Sequence, residues 1–305
     1  MVQKNSINNK IIIICGPTAS GKTALAVEVA KRLNSEVISA DSMYIYKDLT
    51  IGTAKPTEQE MQGINHHMID VISPFDTFTV SDFKAMAEPI IQRLLSQNKI
   101  PVICGGTGFY INSILYDLSY GKSNANLLAR EKYNKMALEK GNEYIYNLLK
   151  EVDPVTADKL HYNDLKRVIR ALEIYESGCK KSDIQDELTA KYDYKAFAID
   201  HPRQLLYDRI NARVDSMIND GLIDEIKALI ANGINRDHQC MQAIGYKEFF
   251  DYFNGITTLD QTIELIKLNT RHYAKRQITF FKKLNVNLLK PTDVSTLAQT
   301  VIEGL

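Results

Sequence analysis

The 305-residue chain has no excess of either charge: 37 Lys and Arg stand against 37 Asp and Glu. Whole-molecule charge therefore gives no reason to expect a nucleic-acid partner. Cysteine is scarce, and Cys15, Cys104, Cys179 and Cys240 lie far apart with no C-x-x-C pair. That excludes a zinc module or a disulfide framework, and Cys15 and Cys104 read as small core residues in apolar strands. No apolar run is long enough to span a bilayer, and the polar stretch 2–9 lacks a secretory pattern, so no membrane partner is expected. A reducing cytoplasm is the expected compartment. Internal repeats and low-complexity segments are also missing.

What is present starts with Gly16-Pro17-Thr18-Ala19-Ser20-Gly21-Lys22-Thr23, which fits the phosphate-binding pattern G-x-x-x-x-G-K-[ST]. An apolar run from Ile11 to Cys15 precedes it, and Leu25, Val29 and Leu33 follow at helical spacing. In that strand–loop–helix context the loop N–H groups face an anion, Lys22 adds a point charge, and the Thr23 hydroxyl can ligate Mg²⁺. Which phosphates the loop holds is open at this point.

Strands are expected at 10–15, 36–40, 67–72, 100–104, 195–199 and 286–289, with helices between them, for example 80–97 and 258–283. Alternation of this kind predicts an α/β fold, a P-loop-type parallel sheet flanked by helices on both faces. From 117 to 194 charged helical sequence replaces the strands, which predicts a helical insertion entered through the polar linker 119–126. The catalytic core would then be 1–116 with 195–305.

Asp41 directly follows a strand, and ligands bind at the carboxyl ends of strands in open parallel sheets. It can be a general base or a metal-associated acid; it can equally close an Asx turn. A second glycine corner, Gly105-Gly106-Thr107-Gly108, would let backbone approach a ligand, with Thr107 donating a hydrogen bond or capping the next helix. Lys166, Arg167 and Arg170 cluster beside an apolar face of Leu165, Val168, Ile169 and Leu172; the cations can clamp a phosphate backbone or coat a solvated surface. Between Leu265 and Thr292 lie Lys267, Arg271, Lys275, Arg276, Lys282, Lys283 and Lys290 with no acid, so the neutral average hides a basic C-terminal element. Tyr273 and Phe280 are expected in the core there. His66-His67, with no spaced partner, reads as a structural pair.

Taken in order, GPTASGKT, DSMYIY (41–46), IGTAKPT (51–57), HHMIDVISP (66–74), GGTGFY (105–110), NDLKRVIRALE (163–173), DRINARVDSM (208–217), AIGYKE (243–248) and TRHYAKRQITFF (270–281) make the chain resemble the tRNA dimethylallyltransferases, also called tRNA isopentenyltransferases. The resemblance is to the bacterial form, without a C-terminal zinc finger. It implies transfer of a dimethylallyl group from dimethylallyl diphosphate to the exocyclic amine of the adenosine 3′ of the anticodon in tRNAs reading U-initial codons. The phosphate loop would then hold diphosphate with Mg²⁺ on Thr23. The family's general base falls on Asp41, its oxygen-binding threonine on Thr107 and its diphosphate-clamping arginine on Arg213.

Contacts to the anticodon stem-loop would fall on Asp41, Ser42, Met43, Tyr44, Thr107 and Arg130. They would continue on Lys166, Arg167, Val168, Ile169 and Arg170, then on Gln242, Ala243, Ile244, Gly245, Tyr246 and Lys247. The last set is Lys275, Arg276, Gln277, Ile278, Thr279, Phe280, Phe281 and Lys282. A monomer is expected. The chain departs from the family pattern at Tyr44, Thr50, Lys166 and Phe280, where Gln, Asp, Gln and Trp are frequent. Rival readings are a nucleoside or nucleotide kinase, an adenylate isopentenyltransferase, and an RNA-binding protein with a non-catalytic loop.

Overall fold

Four consecutive isoleucines at 11–14, all fully buried, build the strand at the centre of the fold. A strand with no polar face must be covered on both sides, as parallel sheets are. The computed structural model describes residues 9–118, 126–184 and 189–305, so the stretch 2–9 and the linker 119–126 lie, except for Asn9 and Asn126, outside the described residues. The chain divides into two units, 1–115 with 190–305, and 116–189. Residues 190–194 thus go with the sheet rather than with the helical insertion in which the sequence reading counted them.

In the first unit six strands form one sheet, all pairings parallel: β1 (Lys10–Cys15), β2 (Val37–Ser39), β3 (His66–His67), β4 (Val102–Gly105), β5 (Asp193–Ile199) and β6 (Val286–Leu289), in the order β3-β2-β4-β1-β5-β6. The expected α/β class holds. The third strand is shorter than expected because Met68 and Asp70 adopt left-handed φ of 64° and 54°, which breaks the ladder until an isolated bridge at Tyr46 and Ile72. Helices α1 (Lys22–Arg32), α2 (Glu58–Met61), α3 (Val80–Ser96) and α4 (Gly108–Leu115) connect the first strands. A capping box of Thr79 with Asp82 starts α3, satisfying two end groups reciprocally.

The second unit holds α5 (Leu127–Lys140), α6 (Asn142–Val152), α7 (Pro154–Ala157) and α8 (Leu165–Glu176) around its own core of Ala129, Tyr133, Ile145, Leu149, Val168, Ile169 and Leu172. The first unit then finishes with α9 (Arg203–Asn219), α10 (Leu222–Ala231), α11 (Phe249–Phe253), α12 (Leu259–Phe281) and α13 (Val294–Glu303). Because β4 lies on one side of β1 and β5 on the other, connections diverge at the carboxyl end of β1. That is where open α/β sheets bind ligands. The phosphate loop, Asp41, the glycine corner and the entry to α9 follow β1, β2, β4 and β5 respectively.

Candidate active site

Lys22 opens α1 directly after Gly21, whose φ of 86° turns the chain into the helix. Ala19 also takes a left-handed φ of 62°, a strained choice for a residue with a Cβ. Its carbonyl is held at 2.8 Å by Arg209 Nε, and the carbonyl of Ser20 meets His201 Nε2 at 2.9 Å. The loop is thus fixed from α9 and the segment before it. Neither Arg209 nor His201 was expected from the sequence; the only signal was Arg209 standing four residues before Arg213, on one helix face.

A cavity of about 470 Å³ opens over this loop. Thr18, Lys22, Asp41, Arg213, Tyr273 and Arg276 line it, with Gly52, Thr53, residues 242–245 and Lys247 on the wall. Arg213 Nη1 donates to the Thr18 hydroxyl at 3.3 Å, and Lys22 Nζ donates to the Pro17 carbonyl at 3.3 Å. Burial pulls the Lys22 ammonium below its ordinary range. Burial pushes the Asp41 carboxyl up, opposed by the Met43 N–H and by the charges of Lys22 and Arg213. A buried carboxyl whose ionisation is perturbed by two neighbouring cations is the kind of group found at functional sites.

Asp41 closes the Asx turn that the sequence allowed, and it does so at the cavity wall. Its Oδ1 accepts the Met43 N–H at 3.0 Å, which is an Asx turn, and the same carboxylate lines the cavity. The turn orients the acid. Thr107 is placed beside it: its hydroxyl oxygen accepts the Ser42 N–H at 3.0 Å, so from the position just before α4 it ties the glycine corner to the Asp41 loop. The glycines also serve packing, while Gly105 lines the smaller cavity described below. A Cβ at Gly105 would sit 2.2 Å from the Ala40 carbonyl oxygen, and one at Gly108 would sit 2.2 Å from the Phe280 ring. Phe280 is therefore a packing partner, as expected. Tyr273 is not in the core; it faces the cavity, where its phenol, hydrogen-bonded to Thr107 and Gln277, is pushed up to about 12 mainly by burial.

A second, much smaller cavity joins Lys22, Thr23, Ser39, Asp41 and Tyr44. The Thr23 hydroxyl and the Asp41 carboxylate are hard oxygen donors there. Tyr44 is anchored by donating its hydroxyl to the Ala54 carbonyl at 2.7 Å. Among the described residues no group of three His, Cys, Asp or Glu could cage a metal. His67 instead pairs with Glu36 at 2.6 Å, and His66 Nδ1 meets the Ile64 carbonyl.

The residues expected to meet nucleic acid divide by burial. Gln242, Ala243, Ile244, Gly245 and Lys247 line the large cavity. Tyr246 does not: it is fully buried, its hydroxyl on Glu225. Lys275, Arg276, Ile278, Thr279 and Lys282 are exposed on α12 and its end, whereas Gln277 and Phe281 are buried. In the helical unit Lys166 and Arg167 are exposed, but Val168 and Ile169 are core. Their side chains cannot touch a surface partner, because the apolar face of α8 turns inward. Arg130 and Arg170 both bind Glu173, whose side chain is 0% exposed.

The chain matches the family model described as IPP transferase over residues 44–284. It is 46% identical over 280 residues to the tRNA dimethylallyltransferase of Acetivibrio thermocellus, covering 90% of each chain. Its structure resembles that of the full-length tRNA isopentenylpyrophosphate transferase from Bacillus halodurans, with a TM-score of 0.74, 40% identity and coverage of 97% and 96%. A eukaryotic dimethylallyltransferase acting on tRNA aligns with a TM-score of 0.81 at 31% identity, covering 97% of this chain and 77% of that one.

Proposed function

The chain belongs to the tRNA dimethylallyltransferase family, and from that membership we propose the reaction it performs. As a member it is a prenyltransferase acting on tRNA. It takes the dimethylallyl group from dimethylallyl diphosphate and places it on the exocyclic amine of the adenosine 3′ of the anticodon, in tRNAs that read U-initial codons. Membership of this family sets aside the kinase, adenylate-acceptor and non-catalytic readings.

The observation that carries the proposal is the joint exposure of one carboxylate, Asp41, and two cations, Lys22 and Arg213, to a single cavity. Its volume of about 470 Å³ falls within the roughly 300–1,000 Å³ of small-molecule sites. An adenine amine is a weak nucleophile because its lone pair is delocalised into the ring. Asp41, already raised by burial, accepts the amine proton as nitrogen attacks the allylic carbon. The carbon–oxygen bond to diphosphate breaks, and Lys22 and Arg213 stabilise the charge that collects on the leaving group. Thr107, joined to the Asp41 loop through Ser42, would hydrogen-bond the bridging oxygen, as the family's oxygen-binding threonine does.

Mg²⁺ fits the donor set: the Thr23 hydroxyl offers a hard oxygen to the small cavity. The absence of a caging cluster among the described residues suits an ion that keeps water and substrate phosphate as its other ligands. When bound, Mg²⁺ would add charge neutralisation to the diphosphate.

A stacked base cannot enter the cavity, so the adenosine flips out, at a cost of a few kcal/mol. Lys275, Arg276 and Lys282, exposed on α12 and its end, would supply phosphate contacts that offset this cost, as would Lys166 and Arg167 of the helical unit. We propose a monomeric cytoplasmic enzyme. No helix among the described residues is long and apolar enough to cross a membrane. Incubation with labelled dimethylallyl diphosphate and either tRNA or AMP tests the reading. Label should enter tRNA and not AMP; label in AMP alone, or phosphate release from ATP with a nucleoside, would overturn it.

A further inference from the structure

Three successive backbone N–H groups, at Thr50, Ile51 and Gly52, converge on one point. Such a concavity is a ready anion site, and in many proteins a phosphate fills it. Here the chain fills it with its own carboxylate. Glu225, on α10, accepts Thr50 N–H at 2.8 Å and Ile51 N–H at 2.6 Å on Oε2, and Gly52 N–H at 3.1 Å on Oε1. The Tyr246 hydroxyl donates to the same Oε1 at 2.6 Å. Burial, together with the charge of Glu225, pushes that phenol well above its ordinary range, so it remains a donor.

Both segments that Glu225 joins are walls of the large cavity. Gly52 and Thr53 line it on one segment, and Gly245 and Lys247 on the other. The two walls are also in direct contact, since a Cβ on Gly52 would lie 2.6 Å from the Tyr246 ring. A second carboxylate fixes the far side: Glu248 accepts the Gly245 N–H at 2.9 Å and an Asn269 amide hydrogen at 2.8 Å. None of these bonds involves Lys22, Thr18 or Arg213, the groups assigned to the diphosphate.

We infer that Glu225 is a positioning residue for the acceptor, shaping the wall of Gly52, Thr53 and Gly245 against which the flipped adenosine rests. Tyr246 acts through it, which gives that buried residue a role without contact to tRNA. The inference rests on the reading that this cavity receives a tRNA adenosine.

Glu225→Ala leaves the N–H groups and the Tyr246 hydroxyl around a hole the size of a small carboxylate. The expected result is a rise in the KM for tRNA of about tenfold or more, with diphosphate affinity within twofold of wild type. Formate or acetate should restore much of the loss, and chloride at equal ionic strength should not. A folded Glu225→Ala enzyme with unchanged KM for tRNA, or with no rescue beyond chloride, would overturn the inference. So would an equal loss of diphosphate affinity. If Glu225→Ala does not fold, Glu225→Gln and Tyr246→Phe must show the same split between tRNA and diphosphate, and its absence in both overturns the inference. Wild-type enzyme that fails to transfer to tRNA would instead overturn the family reaction, and this inference with it.

Discussion

Gln277 donates its amide hydrogen to the carbonyl of Gly106 at 2.9 Å. Its Oε1 accepts the Thr18 N–H at 3.0 Å, so one buried side chain of α12 bridges the glycine corner and the phosphate loop. The approach is close: a Cβ on Gly106 would lie 2.1 Å from Gln277 Nε2. Gln277→Leu keeps the volume but strips a partner from a backbone donor and a backbone acceptor. The expected loss is about 1–3 kcal/mol of unfolding free energy per group left unsatisfied, with weaker diphosphate binding as the loop loosens. Denaturant unfolding and calorimetric titration of diphosphate check both; a variant unchanged in each would remove Gln277 from the site.

Asp41 and Lys22 set the pH dependence. The base must be ionised, and burial raises its carboxyl, so kcat/KM should fall as pH drops through a value above the ordinary carboxylate range. Lys22 must be protonated, and burial lowers it, so the alkaline limb should begin below the ordinary lysine range. The free-enzyme profile is a bell narrower than unperturbed groups would give. Asp41→Asn should abolish the acid limb and cost about 100-fold or more in turnover, with tRNA affinity nearly unchanged. Near wild-type turnover in that variant would reduce Asp41 to its turn with Met43.

Much of this was legible in the chain. Ile11 to Cys15 and the glycine loop announced a parallel sheet and an anion site, because a buried strand and a strand–loop–helix junction are local patterns. Asp41 was legible by position, at a strand's carboxyl end. Glu225 and Gln277's bridge were not, because their partners are backbone groups 173 and 259 residues away in sequence. Nothing in a local pattern reports such a partner. The inward turn of Val168 and Ile169 was visible as an apolar face, yet the motif that contains them suggested a contact surface. In the structure the face decides their placement. The packing role of the glycine corner was hidden for a related reason: Gln277 and Phe280, far along the chain, press on Gly106 and Gly108.

Lys22 and Arg213 act on the same charge from different elements, α1 and α9. Lys22→Ala and Arg213→Ala should each weaken inorganic diphosphate binding and slow transfer by about 100-fold or more, since the stabilised charge grows as the allylic bond breaks. Their effects should be less than additive, because both cations also interact with Asp41. Calorimetry with diphosphate gives the binding part. Tight ATP binding with no diphosphate affinity would contradict the donor assignment.

The basic residues allow a sharper contrast than their clustering suggested. Lys275 and Lys282 make no ion pair among the described residues, and Arg276 packs only over the Tyr273 ring. Arg170 is tied to Glu173 at 2.8 Å, and Arg167 to Asp164 at 3.2 Å. A cation already paired with a carboxylate displaces fewer counterions from a phosphate backbone than an unpaired one. Replacing Lys275 and Arg276 together by Ala should therefore lower the slope of log affinity for tRNA against log salt by roughly one unit per lost contact. Replacing Arg167 and Arg170 should change the slope less and stability more, because Glu173 loses one of its two arginines while fully buried. Filter binding across salt and thermal unfolding of both double variants separate the effects. Equal slope changes with equal stability would show that the carboxylates of α8 do not hold these arginines in solution.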